Sequence, residues 1–142
     1  MDATNAYKQV GGIEAAINQL SPIESTIDDV WIEQNQEALD ELKAVYEDKG
    51  GIHVIEVGDS HCICRVPARE IMSRIAKKAQ ISKAADPLAQ DLELFRLCLL
   101  FPRFESETVQ RWLRDAPGLP TAVSVELMKI AKVTVEATSK KL

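Results

Sequence analysis

The stretch DPLAQDLELFRLCLLFP, residues 86–102, limits what this chain can fold into more than any other, because polar residues disappear before it ends. Asp86 suits a helix N-cap, where a carboxylate accepts from the free N–H groups of the first turn, and Pro87 fits the first helical position, which needs no donor. Leu88, Leu92, Phe95 and Leu99 recur at helical spacing, with Gln90, Asp91, Glu93 and Arg96 on the other sides, so an amphipathic helix is predicted. From Leu97 to Phe101 every side is apolar. That last turn has to be covered all round, either by the protein or by something it binds. Pro102 blocks continuation and moves Phe101 out of the α region, so the helix is predicted to end there.

Charge divides the chain in two. Residues 1–50 carry eleven acidic groups against three lysines, whereas residues 51–142 hold fourteen basic and eleven acidic groups. The division near Gly50-Gly51 predicts an acidic amphipathic helical arm over 1–50, followed by a mildly basic domain over 51–142. A hydrophobic fraction of 46% and a charged fraction of 27% are those of a globular, soluble chain. No apolar run approaches the roughly 20 residues of a membrane span, and MDATNAYKQV has no basic region followed by an apolar one, so a cytoplasmic location is expected. The odd set Cys62, Cys64 and Cys98 reads as reduced thiols.

The period of the apolar residues gives the elements. The opening to Val10 is polar and expected to fray; Ile13, Ala16, Ile17 and Leu20 then share one side of a short helix ending near Ser21-Pro22. Ile23, Ile27, Val30 and Trp31 continue the stripe, and Leu39, Leu42, Val45 and Tyr46 mark a helix from about 34 to 48, with Gly50 as a left-handed cap. Between Ile52 and Val66 the pattern alternates around Gly58-Asp59-Ser60, which predicts a β-hairpin that must pack on helices. A helix starting at Pro67 buries Ile71, Met72, Ile75, Ala76 and Ala79 and turns Arg69, Arg74, Lys77, Lys78 and Lys83 to solvent. Ser106 caps a short helix with Val109, Trp112 and Leu113 inward, and a Pro-Gly turn leads to a last helix over about 120–138 using Val123, Leu127, Ile130 and Ala131, with a loose tail after it. The fold class is α+β, mainly α: one hairpin on a small helical bundle, preceded by the acidic arm.

Each candidate chemistry has an ordinary counterpart. His53, His61, Cys62 and Cys64 are metal-ligand types in one hairpin, but two cysteines spaced C-x-C on a strand sit about 7 Å apart on one face, with His61 on the other. Packed cysteines are the stronger reading, and no metal or cofactor is expected. No nucleophile elbow or Gly-rich phosphate loop is present, so no enzymatic activity is expected. A basic face of Arg65, Arg69, Arg74, Lys77, Lys78 and Lys83 suits a phosphate backbone. It lacks interleaved aromatics in a chain of pI about 5.1, which favours a solvated face over nucleic-acid binding.

Residues 51–138 resemble the tail assembly chaperones of long-tailed bacteriophages. The resemblance rests on CRVPAREIMSRI, LELFRLCLLFP, ETVQRWLRDAPGLP and AVSVELMKIAK: a strand pair ending in an Arg-x-Pro-like junction, a basic-polar helix, an apolar helix ending in an aromatic-Pro step, a short helix, a Pro-Gly-type turn and a last helix. It implies a non-catalytic chaperone in the cytoplasm of the bacterial host that coats the tape measure protein during virion assembly. The tail-tube protein and further copies of the chain are secondary candidate partners. Such a task needs an apolar groove for helical segments, and Phe95, Leu99, Phe101, Phe104 and Trp112 are the candidate wall. The same five side chains also suit the domain's own core. Two other readings stand beside it: a structural tail or baseplate component of the virion, and a small nucleic-acid-binding regulator. The acidic arm is expected to occupy the groove when no client is present, so that deleting residues 1–50 strengthens capture.

Overall fold

A computed structural model describes residues 12–23, 26–81 and 87–139. The Asp86 cap, the opening segment to Val10, Lys83 and the tail over 140–142 lie outside the described residues. The order is α1 (residues 12–19), α2 (Asp29–Gln34), α3 (Gln36–Tyr46), a 3₁₀ turn (Glu47–Lys49), β1 (Ile52–Val57), β2 (Ser60–Arg65), α4 (Arg69–Ile81), α5 (Pro87–Cys98), β3 (Leu99–Phe101), α6 (Glu107–Asp115) and α7 (Leu119–Ser139). This is an α+β chain, mainly helical, as predicted.

The hairpin forms where alternation and turn chemistry place it. Gly58, at φ +58°, gives the glycine-first pattern of a type II′ turn, and Val57 pairs with Ser60. The sheet has a third strand, in the order β1-β2-β3, all antiparallel. The predicted last turn of the central helix is therefore corrected: α5 stops at Cys98, and Leu99–Phe101 leave it as β3. A short run that is apolar on every side fits a doubly covered strand as well as a buried helix turn, and the free edge of β2 selects the strand. One step along β2, from Ile63 to Cys64, corresponds to two along β3, from Phe101 to Leu99. Leu100 is thus the extra residue of a β-bulge.

β2 is the middle strand and is buried on both faces. Ile63, together with Leu100, packs on α1 to α3 through Ile17, Trp31, Leu39 and Leu42. Cys62 and Cys64 pack on the opposite side, with Phe95, Cys98, Val109, Val123 and Leu127. His61 lies on the face opposite the cysteines, as strand alternation requires, and its Nδ1 accepts from the Ile27 N–H at 3.2 Å. Within the acidic segment α1 to α3 thus form one helical layer on the sheet, and α4 to α7 form the other. Its carboxylates at Asp29, Glu33, Glu37, Asp40 and Glu41 are exposed, while the apolar sides of the same helices are buried.

Local details depart from the periodicity. The helix expected over 34–48 is broken at Asn35, whose side chain is committed elsewhere: Oδ1 accepts from Ser21 N–H at 2.8 Å, and Nδ2 donates to the Trp31 carbonyl at 2.8 Å. Val30, expected inward, is exposed, as is Ala76. The helix predicted from Pro67 begins at Arg69. On α5 the buried stripe is Leu94, Phe95 and Cys98, whereas Leu88 and Leu92 are exposed at 64% and 37%.

Gly50 closes α3 and its 3₁₀ extension with φ +92°, and the Gly51 N–H donates to the Tyr46 carbonyl at 2.8 Å. A Cβ there would stand 2.8 Å from Val66 Cγ2. Gly50→Ala combines the left-handed penalty of about 1–2 kcal/mol with that clash, so it is expected to lower the urea midpoint at unchanged slope. Gly51, also at positive φ (+79°) but with nothing within 4 Å, separates the two causes: Gly51→Ala should cost less.

Candidate functional site

The five residues of the predicted wall do not line one groove, because the sheet separates them. Phe95 is fully buried (0% exposed) in the second core, where its ring meets Phe104 edge-on at 6.2 Å. Leu99, Phe104 and Trp112 are half-buried around that same core. Phe101 lies across the sheet with the first layer, 6.0 Å from the Trp31 ring. The bulge at Leu100 makes this split, since a regular strand would put Leu99 and Phe101 on one face. Phe95 is therefore a packing residue rather than a contact for a partner.

Phe101 does border an open furrow of about 300 Å³. One wall is α1 and the segment after it, through Ile17, Leu20, Pro22 and Ile23; the other is Phe101, Pro102, Arg103, Ser106 and Thr108. The second wall is held in shape by the start of α6, where Val109 N–H donates to Ser106 Oγ at 3.3 Å and Gln110 Nε2 donates to the Phe104 carbonyl at 2.8 Å. Across the furrow Arg103 Nη2 donates to Glu14 Oε2 and, at 2.8 Å, to Asn18 Oδ1. The lining of the furrow is mixed: Ile17, Leu20, Pro22, Ile23, Phe101 and Pro102 supply apolar surface, and Asn18, Arg103, Ser106 and Thr108 supply polar surface. Its volume is at the low end of ligand sites, enough to take side chains rather than a bulky small molecule.

Ile17, Leu20, Pro22, Ile23 and Arg103 are the residues that sequence reasoning missed. Glu14 and Asn18, one helical turn apart, carry the signal of a common polar edge on α1, but nothing in one sequence says that the edge meets a residue 89 positions on. A second apolar surface was also missed. Leu88 and Leu92 on α5 and Val125 and Met128 on α7 are exposed, on two helices joined where Ser124 Oγ donates to the Asp91 carbonyl at 3.1 Å.

The remaining candidates find ordinary places. A larger depression of about 590 Å³ is bounded by Arg69, Glu70, Ser73, Arg74, Lys77 and Lys78, all on α4, so it is open surface along one helix face. Arg65 leaves that basic face and lies 4.9 Å over the Tyr46 ring. Side-chain rotamers bring Cys62 Sγ and Cys64 Sγ to 3.8 Å, closer than the strand rise alone suggests. Hydrogen bonding to Cys62, then burial, holds the Cys64 thiol well above its ordinary range, and burial pushes Cys98 up to about 11. Both stay protonated at neutral pH, where the thiolate is the form that attacks or ligates. Among the described residues no group of three or more His, Cys, Asp or Glu is arranged for a metal ion, and no helix is long and apolar enough to cross a membrane. Comparison with protein-family models, curated proteins and solved structures found no match to this chain.

Proposed function

We propose that the chain is a non-catalytic bacteriophage tail assembly chaperone, which binds helical apolar segments of the tape measure protein in the cytoplasm of the bacterial host and keeps them from aggregating. The observation that carries this reading is the furrow at Phe101, a trough in which six apolar residues are joined by Asn18, Ser106, Thr108 and the Arg103 cation. An amphipathic client helix would lower a ridge of side chains into such a trough. The trough's apolar residues would select a client by helical pattern rather than by residue identity, which suits a protein that must cover a long chain, and its polar residues would set how the helix lies.

Co-expression tests the reading. A tape measure protein co-expressed with this chain is expected to be soluble and to co-purify with it, to fall into the insoluble fraction without it, and to reach finished particles that contain no copy of the chaperone. An insoluble tape measure protein in both cases would overturn the proposal. Mass spectrometry that finds the chain in fixed stoichiometry in purified particles would replace it with a structural tail or baseplate role.

A further inference from the structure

One wall of the furrow is α1 itself, and the seat that α1 occupies shows what kind of helix fits beside Phe101 and Arg103. Ala16, Ile17 and Leu20 are buried against the sheet layer and Ile13 packs beside them, so α1 presents apolar residues at i, i+3, i+4 and i+7. Glu14 and Asn18 flank that stripe and both meet the Arg103 guanidinium. The far end of α1 is fixed: Ser21 N–H donates to Asn35 Oδ1, and Trp31 Nε1 donates to the Ser21 carbonyl at 3.1 Å. Along the rest of α1 the polar ties to the 101–108 wall, among the described residues, come from the half-buried Arg103 side chain, and the furrow leaves the seam incompletely filled. α2 and α3 share that core through Trp31, Leu39, Leu42 and Tyr46, and the segment leading into α2 is tied to the sheet as well, through Ile27 N–H on His61.

We infer that α1 is a displaceable plug pivoting at Ser21, and that its seat beside Leu100, Phe101 and Arg103 takes a foreign amphipathic helix of α1's own chemistry: apolar at i, i+3, i+4 and i+7, small at i+3, with a carboxylate at i+1 for Arg103. This rests on the client-binding reading above and narrows the client to one helix type. The stripe supplies the apolar fit, and the single guanidinium sets direction and register, because a helix laid in reverse brings no carboxylate to it. Competition with the resident helix lowers the apparent affinity by the fraction of molecules whose seat is open.

The test uses the full chain and a fluorescein-labelled peptide of residues 12–23, GIEAAINQLSPI, followed by anisotropy. Ile17→Glu puts a carboxylate at a position of 6% exposure on α1, the furrow wall that moves out with the plug, and changes no residue of the sheet or of the 101–108 wall, so it should expel the plug and tighten peptide binding at least about tenfold over the natural chain. Peptide carrying Glu14→Lys should bind the Ile17→Glu chain more weakly, and adding Arg103→Glu to that chain should reverse the preference between the two peptides. Equal binding to the natural and Ile17→Glu chains, or a preference that Arg103→Glu does not move, would overturn the inference. Should Ile17→Glu fail to fold, hydrogen exchange on the natural chain decides: α1 amides are expected to exchange about tenfold or more faster than those of α3, and equal rates would mean that α1 opens only with global unfolding. A natural chain that is dimeric, and that gains peptide binding only on dissociation, would make α1 of a second copy the occupant and remove the foreign helix. Peptide capture without tape measure capture would sink the chaperone reading and leave the seat. Tape measure capture unchanged by Ile17→Glu would do the reverse.

Discussion

A chain beginning at Gly51 is expected to lose cooperative unfolding and to aggregate, although the charge division of the sequence suggested that the first 50 residues are an appendage. The sheet needs both of its helical layers. Ile63 and Leu100 are 2% and 7% exposed only because Trp31, Leu39 and Leu42 lie on them. Removing that layer returns those side chains to water, each burial having contributed about 1.5–3 kcal/mol, against a total stability for a domain of about 5–15 kcal/mol. It also leaves one face of an apolar middle strand bare, a surface prone to association. Apparent gains in client capture by such a truncation would then come from exposed core. Urea unfolding followed by circular dichroism, with size-exclusion chromatography, checks this: a monomeric residue 51–142 fragment with a sharp transition would contradict the two-layer arrangement.

Phe95→Ala is expected to cost about 3–5 kcal/mol, the range for emptying a fully packed aromatic site. Phe95 is the largest fully buried side chain, and its edge-on contact with Phe104 would go as well. Phe101→Ala should cost less than half as much, because that ring is half-buried and faces the furrow. The pair separates packing from binding among residues that the sequence grouped together. Denaturant midpoints at constant slope measure the first; capture of the tape measure protein by the two folded variants measures the second. A Phe95→Ala chain as stable as the natural one would refute the packing described for the α4–α7 layer.

Elements with a strong local signal were legible. The hairpin is written in alternation around Gly58-Asp59, the start of α6 in Ser106, and the end of α3 in Gly50, each a case where local chemistry and tertiary need agree. β3 was not legible, because Leu99–Phe101 before a proline satisfies a buried helix turn and a buried strand equally, and the choice lies with the unpaired edge of a strand 35 residues earlier. The buried face of α5 was misread for a related reason. Leu88 and Leu92 keep helical spacing with Phe95, but the positions of α4 and α7 decide which side is covered, and they cover Leu94 and Cys98. The acidic arm misled through its charge, which describes the outer side of each helix and says nothing about how firmly the inner side is packed. Of the candidate site, Phe101 was readable as an apolar residue in need of cover; its opposite wall on α1 comes from a contact that no local pattern announces.

The proposed function requires foreign helices to enter at the α1 seam and not at the exposed apolar residues Leu92 and Val125 on α5 and α7. A benzophenone amino acid placed in turn at positions 101, 92 and 125 of the full chain, irradiated with the tape measure protein present, tests it directly. A cross-linked product is expected from position 101 and none from 92 or 125. Cross-links from 92 or 125 with none from 101 would contradict the proposed function.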